Sequence, residues 1–312
     1  MIVTLTANPS IDRTVELSSP LAHGEVQRAA GVVDQAGGKG VNVTRAVETA
    51  GKLCVALFPA QHGDPFVGLL RQARLTYRPV PFDGRVRTNI AVVDPDGTTT
   101  KINEPGDPLD EQARAALTEA LRRECQAARW AVLAGSLPAG VDPGWYGELT
   151  AAIADTGAKV AIDTSGGPLT ASAAATVKPH LLKPNGPELA ELVGTEDDLE
   201  ADLDKAVAAA LDLVATGVES LLVTLGGAGA LLVSDEGVWF AKNSAPVQVR
   251  STVGAGDSTL SGYLLADLDG LDPADRLRRA VAYGTAAVQL PGTTIPTPAD
   301  TNEEAVTVAH LR

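Results

Sequence analysis

Aromatic side chains are scarce: three Trp, four Tyr and four Phe make up 4% of the 312 residues. The core must therefore be built mainly from Ala, Val and Leu. The only two cysteines, Cys54 and Cys125, share no chelating spacing, and each lies in or beside an apolar segment. Two buried free thiols in a reducing, cytoplasmic setting are expected, not a disulfide or a metal site. The four histidines, His23, His62, His180 and His310, form no pair at ligand spacing, which argues against a zinc centre or a Ser-His-Asp hydrolase. Cations are also few. With 25 Lys+Arg against 39 Asp+Glu, the formal net charge is −14, so nucleic acid and an anionic membrane surface are excluded as partners, since both need a basic face. The N-terminus, MIVTLTANPSID, has no basic n-region, so no signal peptide is expected. The longest apolar stretch, 221–233, is too short and too rich in glycine to span a bilayer.

What is present reads as an ordinary globular chain, with 45% hydrophobic and 21% charged residues. Short β-rich apolar runs at 2–7, 53–59, 130–134, 159–163, 180–183 and 220–224 alternate with segments of helical period. These fall at 39–50, 110–126, 144–155, 199–216, 256–267 and 275–290. This is the rhythm of βα units around a largely parallel sheet. Two stretches interrupt it, 11–33 and 85–103, the second with Asp96-Gly97 as a hairpin turn. Both read as strands without intervening helices, and together they predict an antiparallel β-sheet lid built from two insertions. The core is then expected from 1–10, 34–84 and 104–312.

Four motifs carry chemistry. In Ala36-Gly37-Gly38-Lys39-Gly40-Val41-Asn42-Val43, bare backbone and a cation meet at a helix start, suiting an anionic or hydroxyl-rich ligand. It lacks the Walker A spacing, and an ordinary tight strand-to-helix turn would look the same. In Thr252-Val253-Gly254-Ala255-Gly256-Asp257-Ser258, backbone N–H groups converge at a helix N-terminus and an acid follows in its first turn. An isolated acid there often does no more than complement the helix dipole. The preceding Gly-x-Gly supports more: a carboxylate taking the proton of an alcohol that attacks a phosphate held by those amides. In Lys183-Pro184-Asn185-Gly186-Pro187-Glu188, Lys183 could meet phosphate oxygens while Asn185 and Glu188 hold Mg²⁺ through water. The same spacing is that of a capping box. Thr224-Leu225-Gly226-Gly227-Ala228-Gly229 is a glycine turn open to a base or ribose, or a plain hairpin. Backbone anion sites, cations, a Mg²⁺ candidate and a base are the set that phosphoryl transfer requires.

The ordered series of Asn8-Pro9-Ser10-Ile11-Asp12, AGGKGVNV, Gly135-Ser136-Leu137-Pro138, KPNGPE, TLGGAG and STVGAGDS resembles the ribokinase-like (pfkB) carbohydrate kinases over essentially the whole chain. The segments GRVRTN (84–89) and GSLPAG (135–140) are similar to the phosphosugar branch of that family, with Val86 where the branch often has Thr. The resemblance implies an α/β fold, a three-layer ribokinase-like core with a mainly parallel sheet and a small β-sheet lid that also forms a homodimer contact. It implies ATP and Mg²⁺, and transfer to C6 of fructose 1-phosphate, with tagatose 6-phosphate or fructose 6-phosphate as alternative acceptors. A non-catalytic sugar-phosphate sensor is a rival reading, expected to have lost the acid or the glycines. By matched position, Asp257 resembles the proton acceptor, and Gly254, Ala255 and Gly256 the anion hole. Asp12, Gly38 and Asn42 match sugar-hydroxyl positions, and Lys39, Arg87 and Ser136 lie near the substrate phosphate. Lys183, Thr224, Gly226, Gly227 and Gly229 match the nucleotide region, and Asn185 and Glu188 the metal region. A kinase for adenosine or ribose would leave Lys39 and Arg87 idle.

Overall fold

The computed structural model describes residues Met1–Arg312. The chain opens with β1 (Ile2–Thr6), β2 (Ser10–Leu17), β3 (Ala29–Gly37) and α1 (Lys39–Thr49), followed by β4 (Cys54–Pro59), α2 (Pro65–Gln72) and β5 (Tyr77–Val80). The hairpin β6 (Arg87–Val93) and β7 (Thr99–Asn103) comes next. Then α3 (Glu111–Cys125), β8 (Trp130–Ala134), α4 (Trp145–Ala152), β9 (Lys159–Asp163) and α5 (Gly167–Ala174) alternate. β10 (Leu181–Leu182), α6 (Gly186–Val193), α7 (Leu203–Val214) and β11 (Ser220–Thr224) continue the pattern. The chain closes with β12 (Ala230–Ser234), β13 (Gly237–Asn243), α8 (Ala255–Leu268), α9 (Pro273–Val288) and β14 (Val306–His310).

Ten strands form the main sheet in the order β14-β13-β12-β11-β10-β9-β8-β1-β4-β5. From β11 to β5 all pairings are parallel; β11 to β14 pair antiparallel. Side chains of the central strands alternate between two buried faces. Val3, Leu5, Ala131, Leu133, Val160 and Ile162 join α3 to α7 on one face. Ile2, Trp130, Val132 and Ala161 join α1, α8 and α9 on the other. The expected three layers are present, and Cys54 and Cys125 are buried free thiols. Helix starts follow local chemistry: the Asp64, Asp110, Asp202 and Asp272 side chains each accept a first-turn backbone N–H. The 199–216 reading shortens to Leu203–Val214 because Asp202 caps the helix there.

A separate four-stranded sheet has the order β3-β2-β6-β7. Two features differ from the expected antiparallel patch. The central pair β2/β6 is parallel, because both insertions leave the same end of a parallel sheet. β3 also runs on to Gly37, so the small sheet leads straight into the first glycine motif with no intervening loop.

Candidate active site

The site lies where strand C-terminal ends meet the N-termini of α1 and α8, the usual crevice of an open parallel sheet. Gly254 caps α8 in the left-handed region (φ +80°), a conformation that glycine takes without strain. Asp257 sits in the first turn, 6% exposed. Asn42 Nδ2 donates to its Oδ2 at 2.8 Å, and Lys39 Nζ stands 3.9 Å from its Oδ1. Burial pushes the Asp257 carboxyl up to about 6; Lys39 opposes that rise and the negative charge of Asp163 adds to it. The site therefore holds a carboxylate poised to take a proton near neutral pH.

Asp163, at the end of β9, is the residue that sequence reasoning missed. Its Oδ1 accepts from Lys39 Nζ at 2.8 Å. Lys183 Nζ pairs with the buried Oδ2 at 3.3 Å. Burial opposes ionisation, but Lys183 and Lys39 outweigh it and hold the Asp163 carboxyl below its ordinary range. Lys39 is held firmly cationic, because Asp163, Asp257 and Glu188 outweigh its own burial. Lys39 is thus tied to two carboxylates while part of its side chain stays exposed. A Cβ on Gly256 would lie 3.3 Å from Lys183 Nζ, so the glycine lets the α8 amides approach that cation. One signal could have flagged Asp163: an acid closing an apolar run, at the ligand-facing end of a parallel strand.

Asp12 faces the site from β2, opposite Gln35 and Asn89. Its Oδ1 accepts from Ser10 Oγ at 2.7 Å and Asn89 Nδ2 at 3.1 Å. Any side chain on Gly37 would overlap the Asp12 carboxylate. Gly38 has φ +112°, and a Cβ there would meet Thr6 Cγ2 at 2.7 Å. Arg87 and Ser136 lie in a neighbouring corner. Arg87 Nη1 donates to the Glu104 carbonyl at 3.0 Å, its Nε is buried without a partner, and Ser136 Oγ accepts from Asn8 Nδ2 at 3.4 Å.

On the other flank, Asn185 and Glu188 form a full capping box: Asn185 Oδ1 accepts from the Glu188 N–H, and Glu188 Oε2 from the Asn185 N–H. No three His, Cys, Asp or Glu residues converge as a metal-ligand group. Thr224 N–H donates to the Pro184 carbonyl at 3.1 Å, which joins this corner to the glycine turn. There Gly226 and Gly229 have positive φ, and a Cβ on Gly227 would meet only open space. Gly229 packs on Ala241 and Lys242, next to a cavity of about 200 Å³ lined by Asn243, Pro246, Thr285 and Gln289 among others.

Residues 5–300 match the family described as pfkB family carbohydrate kinase. The chain belongs to this family. It is 37% identical to the 1-phosphofructokinase of Haloferax volcanii over 318 residues, covering all of this chain and 99% of that protein. It is 36% identical to the 1-phosphofructokinase of Rhodobacter capsulatus, covering 95% and 93%. Among solved structures it resembles Escherichia coli phosphofructokinase-2 in complex with substrates and products, with TM-score 0.86, 31% identity and 96% of each chain covered. The same enzyme in complex with fructose-6-phosphate gives 0.83 and 29%, over 94% and 95% of the chains. The pfkB membership assigns a kinase chemistry to the site, and the ribokinase-like architecture expected from the motifs is the one found. No helix is long and apolar enough to cross a membrane.

Proposed function

We propose that this chain transfers the γ-phosphoryl group of ATP to the C6 hydroxyl of fructose 1-phosphate, giving fructose 1,6-bisphosphate and ADP. The observation that carries the reading is Asp257: a buried carboxylate with a raised pKa, directly after Gly254-Ala255-Gly256 and held by Asn42. Asp257 takes the C6 hydroxyl proton as O6 forms its bond to the γ-phosphorus and the bond to the β-phosphate oxygen breaks. The first-turn amides of α8 and Lys183 stabilise the charge on the transferring group. Asp12, Gly38 and Asn42 orient the sugar, while Arg87 and Ser136 receive its phosphate. Thr224, Gly226, Gly227 and Gly229 line the nucleotide, which extends toward the cavity beside Thr285.

A divalent ion fits the same corner by its donor chemistry. Glu188 keeps one carboxylate oxygen outside its capping box, and its charge reaches Lys39. Mg²⁺ prefers hard oxygens, few protein carboxylates and several waters. Glu188, with Asn185 beside it, would hold it through water, and Mg²⁺ would neutralise phosphate charge. The small sheet acts as the lid, and its exposed Val32, Val33 and Ile102 supply the homodimer contact in a cytoplasmic enzyme.

Identities of 36–37% with two 1-phosphofructokinases over nearly their full length support the choice of acceptor. Measuring kcat/KM side by side on fructose 1-phosphate, fructose 6-phosphate and tagatose 6-phosphate tests it. Fructose 1-phosphate should lead by at least tenfold, about 1.4 kcal/mol of transition-state discrimination. A lead by either other sugar would overturn the assignment.

A further inference from the structure

We infer that Arg85 is a second phosphate-binding guanidinium, which exchanges its partner Glu104 for the phosphomonoester of the sugar. The inference rests on the reading above that the acceptor is a phosphosugar. Arg85 and Arg87 bracket Val86, whose side chain is buried with Ile11, Ala36 and Phe66. The Val86 N–H is held by Asp64 Oδ2 at 3.0 Å. Val86 lies directly before β6, so the anchor fixes the entry of both arginines into that strand. Both arginines line one narrow cleft, together with Asn8, Pro9 and Pro138, whose free volume of about 10 Å³ holds no more than a water while Arg85 is paired with Glu104. The valine that replaces a more usual Thr is thus the hydrophobic foot on which the two cations stand.

One residue keeps both guanidiniums in place. The Glu104 carbonyl accepts from Arg87 Nη1 at 3.0 Å, and its Oε2 accepts from Arg85 Nη1 at 3.0 Å and from the Thr88 N–H at 2.8 Å. Asp107, the acid that lines the cleft, already accepts the Arg85 N–H at 2.9 Å. Arg87 Nε stays buried without an acceptor, a costly arrangement that an incoming oxygen relieves. Arg85 and Glu104 are solvent-accessible, at 58% and 37%, and such pairs hold weakly. A phosphate dianion accepting a bidentate guanidinium is the stronger partner.

The test uses the purified full chain with ATP and fructose 1-phosphate. Arg85→Ala should raise KM for the sugar phosphate at least tenfold, leave kcat within about twofold and leave KM for ATP unchanged. It should also weaken inhibition by inorganic phosphate competing with the sugar, and Arg85→Lys should recover part of both effects. Glu104→Gln breaks the same ion pair but frees Arg85, so it should leave KM for the sugar phosphate at or below the wild-type value. An unchanged KM in Arg85→Ala, or equal rises in Arg85→Ala and Glu104→Gln, would reduce the pair to a hinge contact and overturn the inference. Absence of phosphosugar turnover in the wild type would instead overturn the proposed function.

Discussion

The ammonium of Lys39 is tied to Asp163 at 2.8 Å and stands 3.9 Å from Asp257. Two lysines and two aspartates thus meet in this corner, Asp163, Asp257 and Lys183 buried and Lys39 partly exposed, with Asp163 as the hub. The pH dependence of the enzyme follows from it. As the proposed proton acceptor Asp257 must be ionised, so kcat/KM should fall as pH drops below about 6. Asp163→Asn removes a negative charge that raises the Asp257 pKa and leaves both lysines free to stabilise the carboxylate. The acid limb of the pH–rate profile should therefore move to lower pH. An unmoved limb, or one that moves up, would contradict this coupling.

The raised pKa also makes Asp257 a stability cost. A carboxyl whose folded pKa lies near 6, against an ordinary aspartate value of 3.8, binds its proton more tightly when folded. Its contribution to stability is therefore lost as pH rises from about 4 through 6. At pH 7.5 the loss is on the order of 2–3 kcal/mol, since one pH unit corresponds to about 1.4 kcal/mol. Asp257→Asn should accordingly raise Tm relative to wild type by more at pH 7.5 than at pH 5. Calorimetry at the two pH values checks the sign.

Gly37 gives a steric test of the sugar side. Its backbone is an extended strand, so alanine there has no conformational penalty, yet the added methyl would overlap the Asp12 carboxylate. Gly37→Ala should raise KM for the sugar phosphate about tenfold or more while KM for ATP holds. Equal effects on both substrates would remove Asp12 from sugar binding.

At the opposite end of α8, Asp267 is buried and accepts from Arg129 Nε and Trp130 Nε1, each at 2.8 Å, with Arg276 at 3.3 Å. Asp267→Ala strands the buried indole N–H and removes the carboxylate partner of Arg129 and Arg276, a loss of about 2–3 kcal/mol. Asp267→Asn, which still offers an acceptor to Trp130, should lose less. Denaturant midpoints distinguish the two.

The layered core was legible because both signals that encode it are local. Apolar strand runs and capped helices fell within a few residues of their observed ends, and the glycine motifs landed at the site. What escaped depends on distance in the chain. Asp163 closes a strand as many acids do, and its partners Lys39 and Lys183 lie 124 and 20 residues away. The eight-residue helices α2, α5 and α6 each open on Pro or Gly-Pro, which reads as a turn and not as a helix start. The parallel β2/β6 pairing follows from two insertions leaving the same end of the parallel sheet, which no local pattern records. Asn185 and Glu188 satisfied two readings at once, and the capping box is the one made of contacts within the chain.

The role of Asp257 as proton acceptor is tested most directly by Asp257→Asn, assayed for ADP formation with fructose 1-phosphate alongside titration calorimetry of both substrates. General-base removal predicts a fall in kcat of about 10² to 10⁴, with dissociation constants within about threefold of wild type. Turnover within tenfold of wild type at unchanged affinity would contradict the account.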